Sequence, residues 1–419
     1  MDELFAFTVG AEVPGASVIV IQAGEILHQK GYGLASLELG VPNTPETVFR
    51  LASVTKQFTA MAIMQLHERG LLRIDAPIGD YLPELSYGGE VTVRHLLTHT
   101  SGLGSSEEEG LEFAPGERTS YSNAGYRLLG RIVEKVAGVP YEAYLRQNIL
   151  GPLGMMSTGY EHAGEVIRNR ASGYSADGRG GYRNTGWGDV SGSYAAGALY
   201  STVRDMSAWN QALYTEKLVS AEMLGQAFSP GRLSDGREAQ FGLGWMIRDY
   251  RGLREVGHGG DTDGFNSYVV RYPEQEFTVV VLSNVGMWPM GPLPSAERLA
   301  HRIVDIYLSD LMEPARELVP VEIDPEIYDA YVGRYRLRGP AEVLGTMGET
   351  LTITREGSRL LAESKVGKAE LCPLSETEFF VRGLSDFKAA FTKDESGRAT
   401  GLVMDLMGVR EVRGEKLAD

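Results

Sequence analysis

The chain has 419 residues, 43% of them hydrophobic and 23% charged, a composition that excludes low-complexity and disordered classes and points to a folded globular protein of two or three domains. Its 56 acidic against 40 basic residues leave a net charge of −16, which repels phosphate backbones and anionic lipid headgroups and argues against nucleic-acid and membrane partners. One cysteine, Cys372, excludes an intrachain disulfide. No apolar run approaches the roughly 18 residues of a membrane span. Met1-Asp2-Glu3-Leu4-Phe5 lacks the basic and apolar regions of a secretory leader, so the sequence reads as cytoplasmic, a trimmed leader aside.

In chain order, the β-branched run Ser17–Ile21 and Glu25–Gln29, joined around Ala23-Gly24, predict a hairpin. A helical pattern runs from Ser53 to about Arg69 and stops at Gly70; a second helix follows Thr92 through Leu97, and a third covers Tyr126–Val136, ended at Gly138. Residues 160–200, rich in glycine, serine and tyrosine, read as a long folded loop. Thr202 opens a further helix to about Tyr214. Two β runs, Asn266–Tyr272 and Phe277–Asn284, turn around Pro273-Glu274, and Ser295–Leu311 is helical. Strands and helices kept apart in this way predict an α+β fold. Beyond Pro314 the helical period disappears. Short alternating runs (Tyr331–Leu337, Leu351–Arg355, Arg359–Glu363, Glu378–Arg382, Lys388–Thr392, Leu402–Leu406) predict a small antiparallel barrel. The expected organisation is a first domain over 1–311, a linker over 312–323 and a barrel over 324–419.

Three motifs carry chemistry. In Ser53-Val54-Thr55-Lys56, at a helix start, positions i and i+3 share a face, so hydroxyl and amine lie together. A serine needs such a base because its free hydroxyl is a poor nucleophile. Alone, the motif more often marks an ordinary capped helix start. In Tyr121-Ser122-Asn123, read as extended, phenol and carboxamide face one side as proton shuttle and hydrogen-bond donor; alone, it fits a plain loop. His258-Gly259-Gly260, read as lying just before the strand pair, puts a titratable ring beside a gap where a backbone or ligand can approach. His95 and His99 have the i,i+4 spacing of metal ligands, but no third ligand follows at a zinc-like spacing. Neither a Gly-x-Ser-x-Gly elbow nor a nucleotide-binding glycine loop is present.

Together, in that order and within Phe49–Phe58, His95–Leu103 and Gly257–Gly260, these motifs resemble the class C β-lactamase-like family, which also holds D-aminopeptidases, D-alanyl-D-alanine carboxypeptidases and esterases. The resemblance covers roughly residues 10–310. It implies a β-lactamase/transpeptidase-like domain in which Ser53 is acylated, Lys56 and Tyr121 move the proton, and His258 assists. It further implies that Asn123, Gly259, Gly260 and Asp261 bind substrate, the amides of Ser53 and Asp261 forming the oxyanion hole. The C-terminal strands resemble the lipocalin-like barrel that in some relatives covers the cleft or helps assemble homo-oligomers. No metal or organic cofactor is implied, and the partner is a small-molecule or short-peptide substrate.

The chain departs from the family's usual Lys-Thr-Gly third motif. Lysine is a fixed cation for a substrate carboxylate, whereas histidine, with an ordinary pKa of about 6.5, is mostly neutral at pH 7. The expected substrate is therefore a neutral ester or amide, or an amine-bearing peptide. Weak β-lactamase or carboxypeptidase activity is one alternative, and a non-hydrolytic penicilloyl-type sensor or assembly scaffold another. A short 104–112 segment predicts a wide cleft, and Asp261 with Asp263 an anionic rim.

Overall fold

The β-branched run near the amino terminus forms strand β1 (Ala16–Gln22), which returns as β2 (Glu25–Tyr32) through Ala23 (φ 48°) and Gly24 (φ 81°). Consecutive left-handed residues suit the twist of a tight hairpin. A computed structural model describes residues 1–8, 12–104, 106–108, 110–177, 179–186, 188–286, 294–314, 318–339, 344, 347–365, 367–382, 384–406 and 410–417. Residues 315–317 of the expected linker lie outside these. The chain folds into two compact units, whose main boundary falls between Glu313 and Pro314.

In the first unit, β3 (Met246–Tyr250), β4 (Leu253–Thr262), β5 (Phe265–Tyr272) and β6 (Phe277–Ser283) form an antiparallel meander, and β6 pairs with β1. The order is β3-β4-β5-β6-β1-β2. The run Val279-Val280-Val281-Leu282 is apolar throughout because both sheet faces are covered. On one face Ile19, Val269, Val280 and Leu282 join the core of the helices, where Val203–Ala212 packs against β1 and β6 and α1 (Thr55–Glu68) lies against α2 (Asn123–Ala137). On the other, Val18, Val270, Val279 and Val281 meet Leu299, Ala300 and Ile303 of α3 (Ala296–Leu308). Each fully buried aliphatic side chain contributes about 1.5–3 kcal/mol. Helix α1 is buried from Thr55 to Leu66, which explains its lack of a polar stripe. The fold is α+β.

Three local expectations change. Helix α2 begins at Asn123, not Tyr126, because the Ser122 hydroxyl caps it by accepting from Gly125 N at 3.1 Å. His258-Gly259-Gly260 lies inside β4, not before the strands. The 160–200 segment contains short strands at Gly159–Tyr160, Tyr174–Ala176, Tyr182–Asn184 and Leu199–Ser201.

Behind β4, on the α3 side, Glu255 is 2% exposed. Its carboxylate accepts from Tyr268 (2.7 Å) and Tyr272 (2.6 Å) and pairs with His301 Nε2 of α3 at 2.8 Å. Burial pushes this carboxyl up, but His301, the Arg248 charge and the Tyr272 hydroxyl together outweigh it and hold it at about 2. For His301, burial pushes down and Glu255 with Glu297 together more than compensate, so the imidazolium is favoured. The carboxylate's contribution is thus present above its ordinary 4.5 and lost as pH falls towards 2. The imidazolium's is complete below 6.5 and lost as pH rises through its raised folded value. Thermal stability is expected to peak between these limits, with an alkaline decline that His301→Gln flattens; melts across pH that give both proteins the same alkaline limb would refute this.

The second unit is a closed eight-stranded antiparallel barrel: Gly333–Arg338, Thr350–Glu356, Arg359–Ser364, Gly367–Pro373, Glu378–Val381, Leu384–Lys393, Ala399–Leu406 and Arg410–Lys416. Pairing of Tyr335 with Lys416 closes it. Its core holds Tyr331, Tyr335, Phe379 and Phe391, so side chains fill the centre, as expected for a barrel of this size. The barrel is consistent with a lipocalin-like domain.

Candidate active site

Ser53 enters the site on a bent segment. The short strand Phe49–Arg50 pairs with Leu199–Ser201, then Ala52 (φ 47°) turns the chain into a 3-10 turn, Ala52–Val54, from which α1 continues. A left-handed alanine is unfavourable by about 1–2 kcal/mol. Its flanks hold it: Leu51 N donates to Leu199 O (2.8 Å), and Leu51 O accepts from Ser267 Oγ (2.8 Å). Ser53 is half-buried at the amino-terminal end of α1.

Lys56, in the first turn of α1, is fully buried. Its Nζ donates to Ser53 Oγ (3.0 Å), Asn123 Oδ1 (2.6 Å) and Ala196 O (2.8 Å), matching the three donors of an ammonium to three acceptors. A buried cation is tolerable only when paired in this way. Asn123 is the first residue of α2, so the Ser122 cap is what aims its carboxamide at Lys56. Ala196 arrives through a kink at Tyr194 (φ 42°, ψ −130°). Thr59, one turn beyond Lys56, donates to the neighbouring Ala195 O (2.6 Å) and bonds Tyr141 OH (2.6 Å). The Tyr121 ring lies 4.7 Å from Lys56 Nζ, and Tyr126 lies 5.5 Å from it. Burial pushes the Tyr126 phenol well above its ordinary pKa, so it remains a donor, to Leu97 O at 2.8 Å.

Sheet register brings the third motif to the same place. His258 pairs with Val269 and Val269 with Val280, residues of the helix-covered face. The His258 and Tyr121 ring centroids are 6.0 Å apart. His258 Nδ1 lies 2.6 Å from Gly259 O; a carbonyl only accepts, so Nδ1 carries the hydrogen, and in the neutral ring Nε2 is the basic nitrogen. Gly260 lies so close to the nucleophile segment that a Cβ there would fall 2.1 Å from Leu51 O and 3.0 Å from Ser53 N. Successive strand residues face opposite ways, so the exposed Asp261 carboxylate is directed to the α3 side, where Asn266 Nδ2 approaches it at 3.4 Å. The expected anionic rim therefore loses this side chain, while the Asp261 backbone stays beside Gly260.

The structure thus gathers Ser53, Lys56, Tyr121, Asn123, His258 and Gly260 around one point. His95 and His99 each turn Nδ1 to a backbone N–H, of Thr92 (3.2 Å) and Ser122 (3.0 Å) respectively, which is capping and positioning geometry rather than a paired ligand set. Sequence reasoning missed Ala196, Tyr126 and Phe241. Phe241 sits edge-on to His99 and tilted to Tyr121 and His258. Its one sequence signal is the run Phe241-Gly242-Leu243-Gly244-Trp245, in which Gly244 (φ 95°) packs against Ala60 of α1.

Against known proteins, a family model described as beta-lactamase matches residues 2–302. Penicillin-binding protein 4* of Bacillus subtilis (strain 168) is 31% identical over 411 residues, covering 88% of each chain. The octameric penicillin-binding protein homologue from Pyrococcus abyssi superposes with a TM-score of 0.66 at 27% identity over 98% of each chain. D-amino acid amidase from Ochrobactrum anthropi SV3, solved with L-phenylalanine amide, gives 0.60 at 28% identity over 68% of this chain and 91% of that one. Among the described residues, no helix is long and apolar enough to cross a membrane.

Proposed function

This chain belongs to the β-lactamase family of serine hydrolases, and on that premise we propose that it hydrolyses esters or short amides, D-amino-acid peptides included, through an acyl-enzyme on Ser53. The observation that carries the reading is the buried Lys56 ammonium 3.0 Å from Ser53 Oγ, fixed there by Asn123 and Ala196. In this mechanism the Lys56 ammonium stays charged and supports Tyr121 as the ionised base, which takes the Ser53 proton as the hydroxyl attacks the acyl carbon. The amides of Ser53 and Asp261 stabilise the oxyanion, and the leaving group takes the proton. Water, deprotonated by Tyr121 in turn, then releases the acid and restores Ser53. Asn123 and the Gly259-Gly260 backbone bind the substrate, and His258 offers Nε2 to it. The reaction calls on no metal or organic cofactor.

The likeness to a D-amino acid amidase supports the amide branch. Histidine in place of the usual lysine supports a substrate lacking a free carboxylate. The penicillin-binding relatives favour a second reading, slow acylation by β-lactams or weak carboxypeptidase activity.

Ser53→Ala is expected to abolish hydrolysis of p-nitrophenyl butyrate and D-alanine p-nitroanilide, a loss on the order of 10³-fold or more. The preferred substrate separates esterase from amidase. A mutant matching wild type would sink the nucleophile assignment. Wild type that stays labelled at Ser53 by a fluorescent penicillin without turning over either substrate would move the chain to the sensor reading.

A further inference from the structure

The geometry points to His99 as the positioning residue for Tyr121, an inference that rests on reading Tyr121 as a proton-transfer group. His99 is 1% exposed and holds a left-handed backbone, φ 56°. Its carbonyl accepts from Ser120 N (2.8 Å) and its ring Nδ1 from Ser122 N (3.0 Å), so one residue grips the chain on both sides of Tyr121. Acceptance at Nδ1 places the hydrogen on Nε2 and keeps the ring neutral.

The same ring lies against the phenol, with centroids 4.3 Å and planes 25° apart. Tyr126 at 5.0 Å and edge-on Phe241 at 4.6 Å fix the imidazole in turn. Lys56 and His258 face the phenol from other elements. His99 therefore sets the Tyr121 ring plane through the stack. Its role is to hold this ring, not to touch substrate. Misplacing such a group by about 1 Å lowers turnover on the order of 100-fold.

Two variants of the full chain separate the contributions. His99→Phe keeps a stacking ring and removes the acceptor. His99→Asn keeps an acceptor oxygen and suits the left-handed backbone. Both are assayed with p-nitrophenyl butyrate, and His99→Phe also in the Tyr121→Phe background. The expected result is a kcat for His99→Phe lowered about 100-fold with KM within about threefold. Recovery of about tenfold or more by His99→Asn is expected, and His99→Phe should add less than about threefold to the loss from Tyr121→Phe alone. Independent, multiplying losses would overturn the inference, as would wild-type kcat in His99→Phe. Equal losses in both His99 variants, matched by fewer Ser53 sites reacting with a fluorophosphonate, would also overturn it by showing a folding effect. Full activity in Tyr121→Phe removes the premise itself, and that single variant distinguishes this outcome from the others.

Discussion

Lys56→Met is expected to lower hydrolysis by on the order of 10³–10⁴-fold while leaving the protein as stable as the wild type, or more so. The activity side follows from chemistry: without the amine 3.0 Å from Ser53 Oγ, the hydroxyl keeps its ordinary weak nucleophilicity. The stability side is a contest between two magnitudes. Stripping water from a buried ammonium costs several kcal/mol even after relaxation, and the variant recovers that cost. Against it stand two acceptors, Asn123 Oδ1 and Ala196 O, each left wanting by about 1–3 kcal/mol if nothing replaces the donor. Asn123 can rotate and half-buried Ser53 admits water, so that penalty is partly relieved. Methionine fills the channel along α1 with a flexible apolar chain. Urea unfolding and turnover of p-nitrophenyl butyrate by the same preparations check both halves. A large fall in stability, with lost activity in proportion to the unfolded fraction, would make Lys56 a structural residue instead.

The parts of this site that were legible in the sequence are those where a side chain announces its own chemistry. Ser53 and Lys56 stand at helical spacing, and the Thr92 and Thr202 caps precede periodic runs. The parts that were hidden are those where the backbone acts. Ala196 contributes a carbonyl, and the kink at Tyr194 that delivers it leaves no trace in residue type. Ser122 conceals the start of α2 because Asn123 and Gly125 are poor helix formers, yet its cap hydrogen bond outweighs their propensity. In β4 two glycines suppress the strand signal, although close approach to Ser53 is what requires Gly260. The last barrel strand hides similarly: in Arg410–Lys416 one of the buried alternating positions is Gly414, so the inward face looks polar. The pairing of β1 with β6 joins residues more than two hundred positions apart, and only the shared apolar character of both runs hints at it.

Gly260→Ala is expected to be far more damaging than Gly259→Ala, though the two sites are adjacent and neither backbone is left-handed. At Gly260 the new methyl would lie 2.1 Å from Leu51 O, 2.5 Å from Ser267 Oγ and 3.0 Å from Ser53 N. The Ser267 hydroxyl can turn only by giving up its bond to Leu51 O, and the Leu51 backbone is held by its bond to Leu199. The strand must therefore retreat by an ångström or so, about the displacement that lowers turnover on the order of 100-fold, with overpacking that destabilises by about 1–3 kcal/mol. At Gly259 the methyl meets the Tyr268 ring at 3.3 Å, a side chain that can shift slightly, and Ser267 O at an ordinary 3.8 Å. That variant should lose less than about 1 kcal/mol and remain within about tenfold of wild-type kcat/KM. Comparable losses at both positions would mean that β4 responds to any bulk along its length. Losses concentrated at Gly260 would tie catalysis to the contact between this strand and the Ser53 amide, the donor proposed above for the oxyanion.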